Sequence, residues 1–259
     1  MGKATSDKPL AGKGVVVTRP AHQAQALARL IEAAGGRPVP FPAIEIREVE
    51  DPQPFLNVVD RLDEFDLAIF ISPNAVNWAI RPILQRRTLP PRLKMAAIGG
   101  ASVKALQRHG VSGVIAPRGR YDSEALLDLR ELAAPAGMRV VIFRGQGGRE
   151  LLGETLSARG AQVEYAECYR RSRPDLDPAP LLEAWARNEL DAVTVTSSDG
   201  LRNLFEMVGA PGRAHLLRTP LFVPHPRIAE TARGLAVGKV IVTGPGNEGL
   251  LAGLTDYFK

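Results

Sequence analysis

Apolar and polar positions follow two alternating periods along this chain. Short apolar runs rich in Val and Ile predict β-strands, and the stretches after them carry apolar residues every three or four positions, which predicts helices. One such helix is indicated by Leu27, Leu30 and Ile31. The predicted strands are residues 14–18, 67–71, 94–98, 113–116, 139–143, 191–195, 220–223 and 239–242. Because near-continuous apolar strands that alternate with helices are typical of parallel sheets covered on both faces, the pattern predicts a doubly wound α/β fold.

The same pattern occurs twice, at an offset of 125 residues. Residues 14–36 resemble residues 139–161. The offset persists further along the chain, where Ser72 matches Ser197. A repeat of this length indicates one structural unit that is used twice. The sequence therefore predicts two pseudo-symmetric doubly wound parallel-sheet domains of the flavodoxin or Rossmann type.

Two segments do not fit the alternation of strands and helices. Residues 41–51 and 165–175 are extended in character, and they occupy equivalent places in the two copies. We expect them to pair as a two-stranded linker that joins the domains. Tyr169 lies in the second segment, where it is either an aromatic side chain packed on a neighbouring strand or a residue of the functional site.

The junctions between strands and helices are rich in capping residues, turn formers and hydroxyls. In a doubly wound sheet these junctions lie at the carboxyl ends of the strands, where ligands bind. The first turn of each helix there presents unpaired N–H groups that suit a carboxylate or phosphate. A purely structural alternative stays open at each junction, because Ser72, Ser198 and Asp199 also suit helix capping. Three arginines at these turns, which a fold does not require there, favour an anion site: Arg19, Arg144 and Arg149.

Composition narrows the class of partner. The chain has 259 residues, of which 45% are hydrophobic and 24% charged, as in an ordinary globular protein with room for two cores. A formal net charge of +5 and an isoelectric point near 9.6 indicate an acidic partner. Only 5% of the residues are aromatic and no long basic run occurs, which argues against single-stranded nucleic acid. A polyanionic small molecule fits this composition better.

The expected compartment follows from three features of the chain. No apolar run is long enough to span a membrane, and the first residues lack the hydrophobic region of a secretory signal. The one cysteine, Cys168, rules out an internal disulfide and fits a reducing cytosol. We therefore expect a cytoplasmic protein with no membrane or nucleic-acid partner, and we interpret Cys168 as a buried structural thiol.

Motifs of other site classes are incomplete. Residues 244–249, GPGNEG, fit the G-x-G-x-x-G pattern, but a dinucleotide site also needs a second strand with an acidic residue about 20 positions later, which does not follow here. The four histidines show no metal-ligand spacing. No G-x-S-x-G elbow occurs. We therefore expect no cofactor, no metal and no covalent catalysis.

Seven segments occur in the order and spacing of one known family. They are VVVTRP, FISPNAV, AIGGASVKAL, DSEALL, FRGQGGRELL…ARGAQVEYAECYRR, VTVTSSDGL and LFVPHPRIAETA. On these motifs the chain resembles the uroporphyrinogen-III synthase family. It departs from that family's GPTTA-like turn, because it has Gly244, Pro245, Gly246 and Asn247 there and lacks two hydroxyls.

The resemblance implies a discontinuous domain arrangement. Residues 14–40 and 174–259 would form one domain and residues 48–164 the other, with 41–47 and 165–173 as the linker strands. It also implies an activity, the closure of hydroxymethylbilane to uroporphyrinogen III with loss of water and inversion of ring D. This is the reaction of a cyclising hydro-lyase in the biosynthesis of haem, sirohaem and cobalamin precursors.

The resemblance implies partners as well. The substrate would be hydroxymethylbilane, with functional coupling to hydroxymethylbilane synthase, and the protein would be a monomer without a cofactor. The alternative is a regulatory homologue that binds a tetrapyrrole or another polyanion without turnover.

The resemblance assigns one catalytic residue, and the strand–helix junctions supply the candidates for binding the substrate. Tyr169 matches the family tyrosine and is the expected hydrogen-bond donor to the departing hydroxyl. The candidates for holding the acetate and propionate groups are the side chains of Arg19, Ser72, Ser102, Arg144, Arg149, Ser197 and Ser198, assisted by the backbone amides at Gly99, His225 and Gly246.

Overall fold

The computed structural model describes residues 8–120 and 122–259, and the chain divides into two compact units. Unit 1 contains the residues up to Glu45 together with Ser172–Lys259. Unit 2 is Ile46–Arg171. The chain therefore passes from one unit to the other twice.

The elements alternate as the apolar pattern predicts. In chain order the strands are β1 (Gly14–Val17), β2 (Arg37–Pro40), β3 (Glu45–Arg47), β4 (Leu67–Phe70), β5 (Lys94–Ala97), β6 (Arg139–Gly145), β7 (Gln162–Ser172), β8 (Ala192–Thr194), β9 (Leu221–Val223) and β10 (Val240–Val242). The helices are α1 (Ala21–Ala33), α2 (Gln53–Asp60), α3 (Pro73–Arg86), α4 (Gly100–Gln107), α5 (Ser123–Leu127), α6 (Arg130–Ala133), α7 (Leu151–Ala158), α8 (Ala179–Ala186), α9 (Ser198–Arg218, kinked at Gly209), α10 (Pro226–Gly234) and α11 (Gly246–Phe258).

Unit 1 contains a parallel five-stranded sheet in the order β10-β9-β8-β1-β2. Alternate strand residues enter two separate cores. Val15 and Val17 pack with the apolar residues of α1 and α11, whereas Val16 packs with those of α8, α9 and α10. Helices thus cover both faces of the sheet, which explains why its central strands are apolar at every position.

Unit 2 contains a sheet in the order β3-β7-β6-β4-β5, and the pairs β7-β6, β6-β4 and β4-β5 are parallel. Its first core lies under α2, α3 and α4, and its second lies under α5, α6 and α7. The predicted strand at 113–116 is reduced to one parallel bridge, between Ile115 and Ala96.

The two sheets are the same sheet in two copies. At the 125-residue offset, β6 corresponds in sequence to β1, β7 to β2, β4 to β8 and β5 to β9. Ile115 corresponds to Val240. The strand order that results is the same in both units, and in unit 1 it is the flavodoxin-like order. The prediction of two pseudo-symmetric doubly wound α/β units is confirmed.

Three strands lie outside the predicted apolar runs: β2, β3 and β7. β2 has the sequence RPVP, and its two prolines are tolerated because β2 lies at the edge of its sheet. β7 is eleven residues long and partly polar, since it has only the short strand β3 outside it. β7 covers most of the expected linker segment 165–173, and β3 falls in the other segment, 41–47, so the two strands expected to pair are neighbours in the unit 2 sheet.

No helix within the described ranges combines the length and the apolar character that crossing a bilayer requires.

Candidate functional site

The predicted site residues divide between the units, and most of them follow the carboxyl end of a strand. Unit 2 carries Ser72, Gly99, Ser102, Arg144, Arg149 and Tyr169, and unit 1 carries Arg19, Ser197, Ser198, His225 and Gly246. Since the strands of a parallel sheet all end at one edge, each unit gathers its own group of these residues at that edge.

Tyr169 is fully buried in the first core of unit 2. Its hydroxyl lies 3.2 Å from Ser72 Oγ. An Nη group of Arg171 donates a hydrogen bond to the same hydroxyl at 3.2 Å, and the Arg171 guanidinium lies 5.5 Å from the centre of the tyrosine ring. The structure therefore brings together Tyr169 and Ser72, which are 97 residues apart in sequence.

A β-bulge turns Tyr169 into this position. In the β6–β7 pair, Arg144 lies opposite Glu167 and Gly145 lies opposite Tyr169, so Cys168 is the extra residue. Cys168 and Tyr169 consequently both face the first core, whereas strict alternation would send one of them to the other face. A bulge beside a functional site commonly re-aims a side chain in this way.

Gly145 makes room for the tyrosine ring. A Cβ atom at this glycine would lie 2.5 Å from a ring carbon of Tyr169 and 3.0 Å from its hydroxyl oxygen. These distances are shorter than carbon atoms in contact allow, so residue 145 must be glycine for the ring to lie where it does.

Ser72 forms the N-cap of α3. Its Oγ accepts a hydrogen bond from the backbone N–H of Ala75 at 3.0 Å, and Pro73 occupies the first helical position. The side chain is half-buried, in contrast to Tyr169. Capping and contact with the tyrosine are thus combined in one hydroxyl.

Arg144 is a buried cation, with 3% of its surface exposed. Its Nε donates to the carbonyl of Gly147 at 3.1 Å, and its guanidinium lies 4.6 Å from the centre of the Tyr165 ring. Among residues 8–120 and 122–259, no carboxylate lies within ion-pair distance of it. A buried charge without a counter-ion is costly, so this arginine favours the binding of an anion.

A cavity of about 210 Å³ lies beside Arg144 within unit 2. Ile71, Ile98, Ile142 and Leu152 are among its apolar lining residues. Arg149 and Arg171 also reach it, and both are more exposed than Arg144. An apolar cavity with cationic groups in its lining is suited to bind a ligand whose carboxylate is attached to an apolar group.

Arg149 already has a partner in this structure. Its Nη group lies 2.9 Å from a carboxylate oxygen of Glu124, and the second oxygen of that carboxylate is buried without a hydrogen-bond partner. The backbone of Glu124 and the Arg149 guanidinium hold the pKa of this carboxyl below its usual range. Glu124 therefore stays ionised and competes with any other anion for Arg149.

Two residues of this region were missed by the sequence analysis. Glu167 accepts a hydrogen bond from the backbone N–H of Gly147 at 2.9 Å and so holds the loop that positions Arg144. Arg171 donates to Tyr169. The motif ECYRR contained both, but their roles depend on the register of β7, which a sequence pattern does not show.

Gly99 and Ser102 lie at the start of α4. Gly99 is the N-cap residue, with an extended backbone, and Ser102 donates its N–H to the Gly99 carbonyl at 2.9 Å. The Ser102 side chain is 2% exposed. Its contact with a carboxylate therefore stays a prediction that needs a local opening of this turn.

In unit 1, Arg19 follows β1 and is half-buried. Its Nε is buried and has no hydrogen-bond partner, and burial lowers the pKa of the guanidinium from its ordinary value. On α11, Asn247 Oδ1 is likewise buried and unpaired. These two atoms leave hydrogen-bonding capacity unused at the strand ends of unit 1.

The N-cap of α9 is Ser197, so the expectation that Ser198 and Asp199 serve as caps was wrong. Ser197 Oγ accepts from the Gly200 N–H at 3.0 Å. Ser198 is the first helical residue instead, and its Oγ accepts from the Thr231 hydroxyl at 2.9 Å. The helix begins one residue earlier than the pattern indicated, because the extended backbone ends at Ser197.

His225 and Gly246 begin the two remaining helices of unit 1. His225 caps α10 by accepting the Arg227 N–H at its Nδ1, at 3.1 Å, which leaves this nitrogen unprotonated. Gly246 has φ of +75° and opens α11. Gly246 lies in the turn whose sequence differs from the family's GPTTA-like turn. Its backbone conformation is one that a threonine would adopt only with strain.

Cys168 is 3% exposed, and burial raises the pKa of its thiol to about 12. The thiolate fraction at neutral pH is therefore negligible, and the interpretation as a buried structural thiol is confirmed. Across the described parts of the chain, no group of three or more His, Cys, Asp or Glu side chains is placed to hold a metal ion.

Comparison of the sequence with known proteins finds a matching family and similar relatives. The family model described as "Uroporphyrinogen-III synthase HemD" matches residues 25–252. The chain is 37% identical to the uroporphyrinogen-III synthase of Escherichia coli (strain K12) over 225 residues, which cover 85% of this chain and 91% of the relative. It is 39% identical to the enzyme of the same name from Salmonella typhimurium (strain LT2) over 226 residues, with the same coverage.

Solved structures show the same fold. A mutant uroporphyrinogen III synthase from the extremely thermophilic bacterium Thermus thermophilus matches 94% of this chain and 98% of its own, with a TM-score of 0.61 at 21% identity. The uroporphyrinogen-III synthetase from Helicobacter pylori 26695 matches 93% and 97%, with a TM-score of 0.54 at 16% identity. At these identities the likeness extends to the arrangement of the elements.

Proposed function

Because the chain belongs to the uroporphyrinogen-III synthase family, we propose that it closes hydroxymethylbilane into uroporphyrinogen III, with loss of water and inversion of ring D. The chain is thus a cyclising lyase of tetrapyrrole biosynthesis. The observation within the structure that carries the proposal is Arg144, a buried cation without a carboxylate partner beside an apolar cavity.

The substrate fits these groups chemically. Hydroxymethylbilane carries acetate and propionate side chains on apolar pyrrole rings, so each carboxylate needs a cation or several N–H donors. Within unit 2, Arg144 supplies the cation, and the apolar cavity accepts the arm that bears the carboxylate. The remaining proposed contacts are Arg19, Ser72, Gly99, Ser102, Arg149, Ser197, Ser198, His225 and Gly246.

The chemistry requires little from the protein beyond positioning. Departure of the hydroxyl from ring A leaves a conjugated azafulvene cation, which ring D attacks through its substituted carbon to give a spiro intermediate that rearranges. Without the enzyme the bilane closes without inversion, to the type I isomer. Holding the flexible substrate so that the substituted carbon reacts is therefore the main catalytic effect. Tyr169 is the proposed source of the proton that helps the hydroxyl leave.

Three further properties stay predictions from the family. We expect functional coupling to hydroxymethylbilane synthase, which makes the substrate, because the bilane closes spontaneously. We also expect a monomer and a cytoplasmic location.

The test generates hydroxymethylbilane in situ from porphobilinogen with its synthase, adds this protein, oxidises the products and separates the porphyrin isomers by chromatography. We expect the product to shift from type I to type III. Unchanged type I product from folded protein would contradict the proposal. In that case, tight binding of the bilane without turnover would identify the regulatory alternative.

A matched pair of variants tests the carboxylate subsite. Arg144→Met should raise KM for the bilane about 10-fold or more, since it removes a buried charged hydrogen-bond donor. The control is Arg159→Met, because Arg159 is also an arginine of unit 2 that donates to backbone carbonyls, of Leu127 at 2.7 Å and Leu132 at 2.9 Å, without lining the cavity. Arg159→Met should lower stability and leave KM unchanged. Equal changes in KM would show that the Arg144 effect is structural.

A further inference from the structure

We propose that Ser72 is the catalytic residue that hands the proton to the departing hydroxyl, and that Tyr169, held by Arg171, supplies this proton through Ser72. The inference rests on the proposed function, because the acceptor is the hydroxyl that leaves ring A. It differs from direct donation by Tyr169 in the group that touches the substrate, and it replaces the carboxylate contact proposed above for Ser72, because the one free proton of this serine cannot serve both groups.

The direction of the first two hydrogen bonds follows from chemistry. A guanidinium can only donate, so the Tyr169 oxygen accepts from Arg171. The tyrosine is fully buried, and Ser72 Oγ is the one other hydrogen-bond partner of its hydroxyl among the residues that the structure describes. A buried O–H without an acceptor is costly, so the Tyr169 proton points to Ser72.

The same reasoning leaves the Ser72 proton free. A serine hydroxyl has two acceptor sites and one proton. Ser72 Oγ accepts from the Ala75 N–H at 3.0 Å and from Tyr169, so both acceptor sites are occupied. Within the described residues no acceptor takes its own proton. Because Ser72 is half-buried and Tyr169 is not exposed at all, the proton that can reach a substrate is that of Ser72.

The transfer balances. The C–O bond of the ring A hydroxymethyl group breaks, and its electron pair leaves with the oxygen, which takes the Ser72 proton and departs as water. Ser72 takes the Tyr169 proton, and the phenolate that forms remains hydrogen-bonded to Arg171. When the cyclised cation loses a proton to restore the aromatic pyrrole, that proton returns through Ser72 to Tyr169.

Arg171 is suited to stabilise the phenolate. No carboxylate pairs with its guanidinium in the part of the chain that the structure describes, and it contacts both the oxygen and the ring of Tyr169. A charge that develops on the tyrosine oxygen during proton transfer is therefore met by a cation already in place.

Unit 1 has the cap without the relay. Ser197, the equivalent of Ser72, accepts from the Gly200 N–H at the same 3.0 Å. The residue equivalent to Tyr169 is Ile44, which has no hydroxyl. Ser197→Ala therefore measures what the loss of such a cap does to unfolding, apart from any proton transfer.

The experiment is a double-mutant cycle on kcat/KM for the type III product, with Ser72→Ala, Tyr169→Phe and the pair together. The relay predicts that each single variant loses about 100-fold and that the double variant loses no more, because either change interrupts one path. Ser72→Thr, which keeps a hydroxyl and a cap, should restore most of the rate. A solvent deuterium isotope effect on kcat should be present in the native protein and reduced equally in both single variants.

Three outcomes would overturn the relay while leaving the proposed function in place. If Ser72→Ala keeps its rate while Tyr169→Phe loses it, the tyrosine donates directly. If the two losses multiply in the double variant, the two groups act independently. If the rate of Ser72→Ala falls only as its unfolding midpoint falls, and Ser197→Ala shows the same fall in midpoint, the serine is a cap alone. Failure of the unaltered protein to form any type III product would reject the proposed function and the relay with it.

Discussion

Units 1 and 2 have the same strand order, and they also share an equivalent hydrogen bond from a backbone N–H to a carboxylate. In unit 1 the Asp191 carboxylate accepts the N–H of Gly14 at 2.9 Å, and in unit 2 the Asp66 carboxylate accepts the N–H of Arg139 at 2.8 Å. These two bonds are related by the 125-residue offset at both ends. The groups that anchor the first residue of a central strand have therefore been kept in both copies.

The units differ where their strands end. The positions of Gly145 and Tyr169 in unit 2 correspond to Pro20 and Ile44 in unit 1. Unit 2 thus has a buried hydroxyl and the space for it, whereas unit 1 has an aliphatic residue and a proline at these positions. The two units thus have the same anchoring carboxylates at the start of a central strand and different side chains at the strand ends.

The interiors beside these ends also differ. In unit 1, Thr18 and Thr194 are buried and donate to strand carbonyls at 2.8 and 2.9 Å. In unit 2, the residue that corresponds to Thr18 is Phe143, which stacks on Phe70 at 4.8 Å between ring centroids. The corresponding strand ends are therefore stabilised by hydrogen bonds in one copy and by ring packing in the other.

The largest effect is expected at Gly145. Gly145→Ala places a methyl group 2.5 Å from the Tyr169 ring, so the ring must shift within a filled core. We expect a loss of about 1–3 kcal/mol in the free energy of unfolding and a large loss of type III product, because Tyr169 leaves Ser72. Urea unfolding and the isomer assay measure the two. The control is Pro20→Ala at the equivalent position of unit 1, which should cost less, and an equal cost would show that glycine is not special at 145.

Removal of the two anchoring carboxylates should lower the free energy of unfolding by different amounts, although the two hydrogen bonds have the same geometry. Asp191 is half-buried and also pairs with Lys13 at 3.0 Å, whereas Asp66 is exposed. We expect Asp191→Ala to lower the free energy of unfolding by about 2 kcal/mol and Asp66→Ala by about 1 kcal/mol. Urea unfolding of both variants decides the order. An equal loss would mean that the backbone hydrogen bond alone determines the contribution.

The two caps give a smaller and more even comparison. Ser197→Ala removes one helix cap, which typically costs about 1 kcal/mol. Ser72→Ala removes the equivalent cap and also the acceptor of the buried Tyr169 proton, so it should cost more. Adding Tyr169→Phe to Ser72→Ala should recover that excess, since no buried proton is then left unpaired. Thermal unfolding of the three variants measures this, and no recovery would indicate that the tyrosine proton has another acceptor.

The fold could be predicted from the sequence much further than the site. Apolar periodicity identified seven of the strands, because a strand covered on both faces must be apolar throughout. It missed β2, whose prolines are allowed only by its edge position, while β3 and β7 were expected only as paired extended segments. These three strands lie at or next to an edge of their sheets, where the apolar pattern is weak because one face or one side has little cover.

The site depended on contacts that no local pattern contains. Arg144, Ser72 and Tyr169 were identified as candidates, since they stand at or beside strand ends or match a family motif. The position of Tyr169, and with it the hydrogen bond to Ser72 across 97 residues, depends on the bulge at Cys168, while the burial of Arg144 depends on the tertiary contacts around the end of β6. A shift of one residue in register would turn these side chains to the opposite face of the sheet, and the sequence pattern is the same in either register.

Replacement of Cys168 should have a small effect on stability at neutral pH and a larger, opposite effect at high pH. Its equivalent in unit 1 is Ala43, so Cys168→Ala gives unit 2 the residue of unit 1 and should cost roughly 1 kcal/mol. The thiol has a pKa of about 12 in the folded protein against 9.0 as the ordinary value. Between these pH values the folded state binds more protons than the unfolded state, so stability that is fully present below pH 9 is lost as the pH rises toward 12.

This part of the pH dependence should be absent from Cys168→Ala. Urea unfolding of both proteins from about pH 8 to about pH 11 should therefore show the native protein losing up to about 1.4 kcal/mol per pH unit relative to Cys168→Ala above the pKa of the unfolded thiol, so that its initial advantage closes and then reverses. A thiol reagent at about pH 8 should label the native protein only after denaturation. Rapid labelling of the folded protein would mean that the thiol is exposed by opening of β7, and because Tyr169 is the next residue on that strand, such opening would uncover the tyrosine as well.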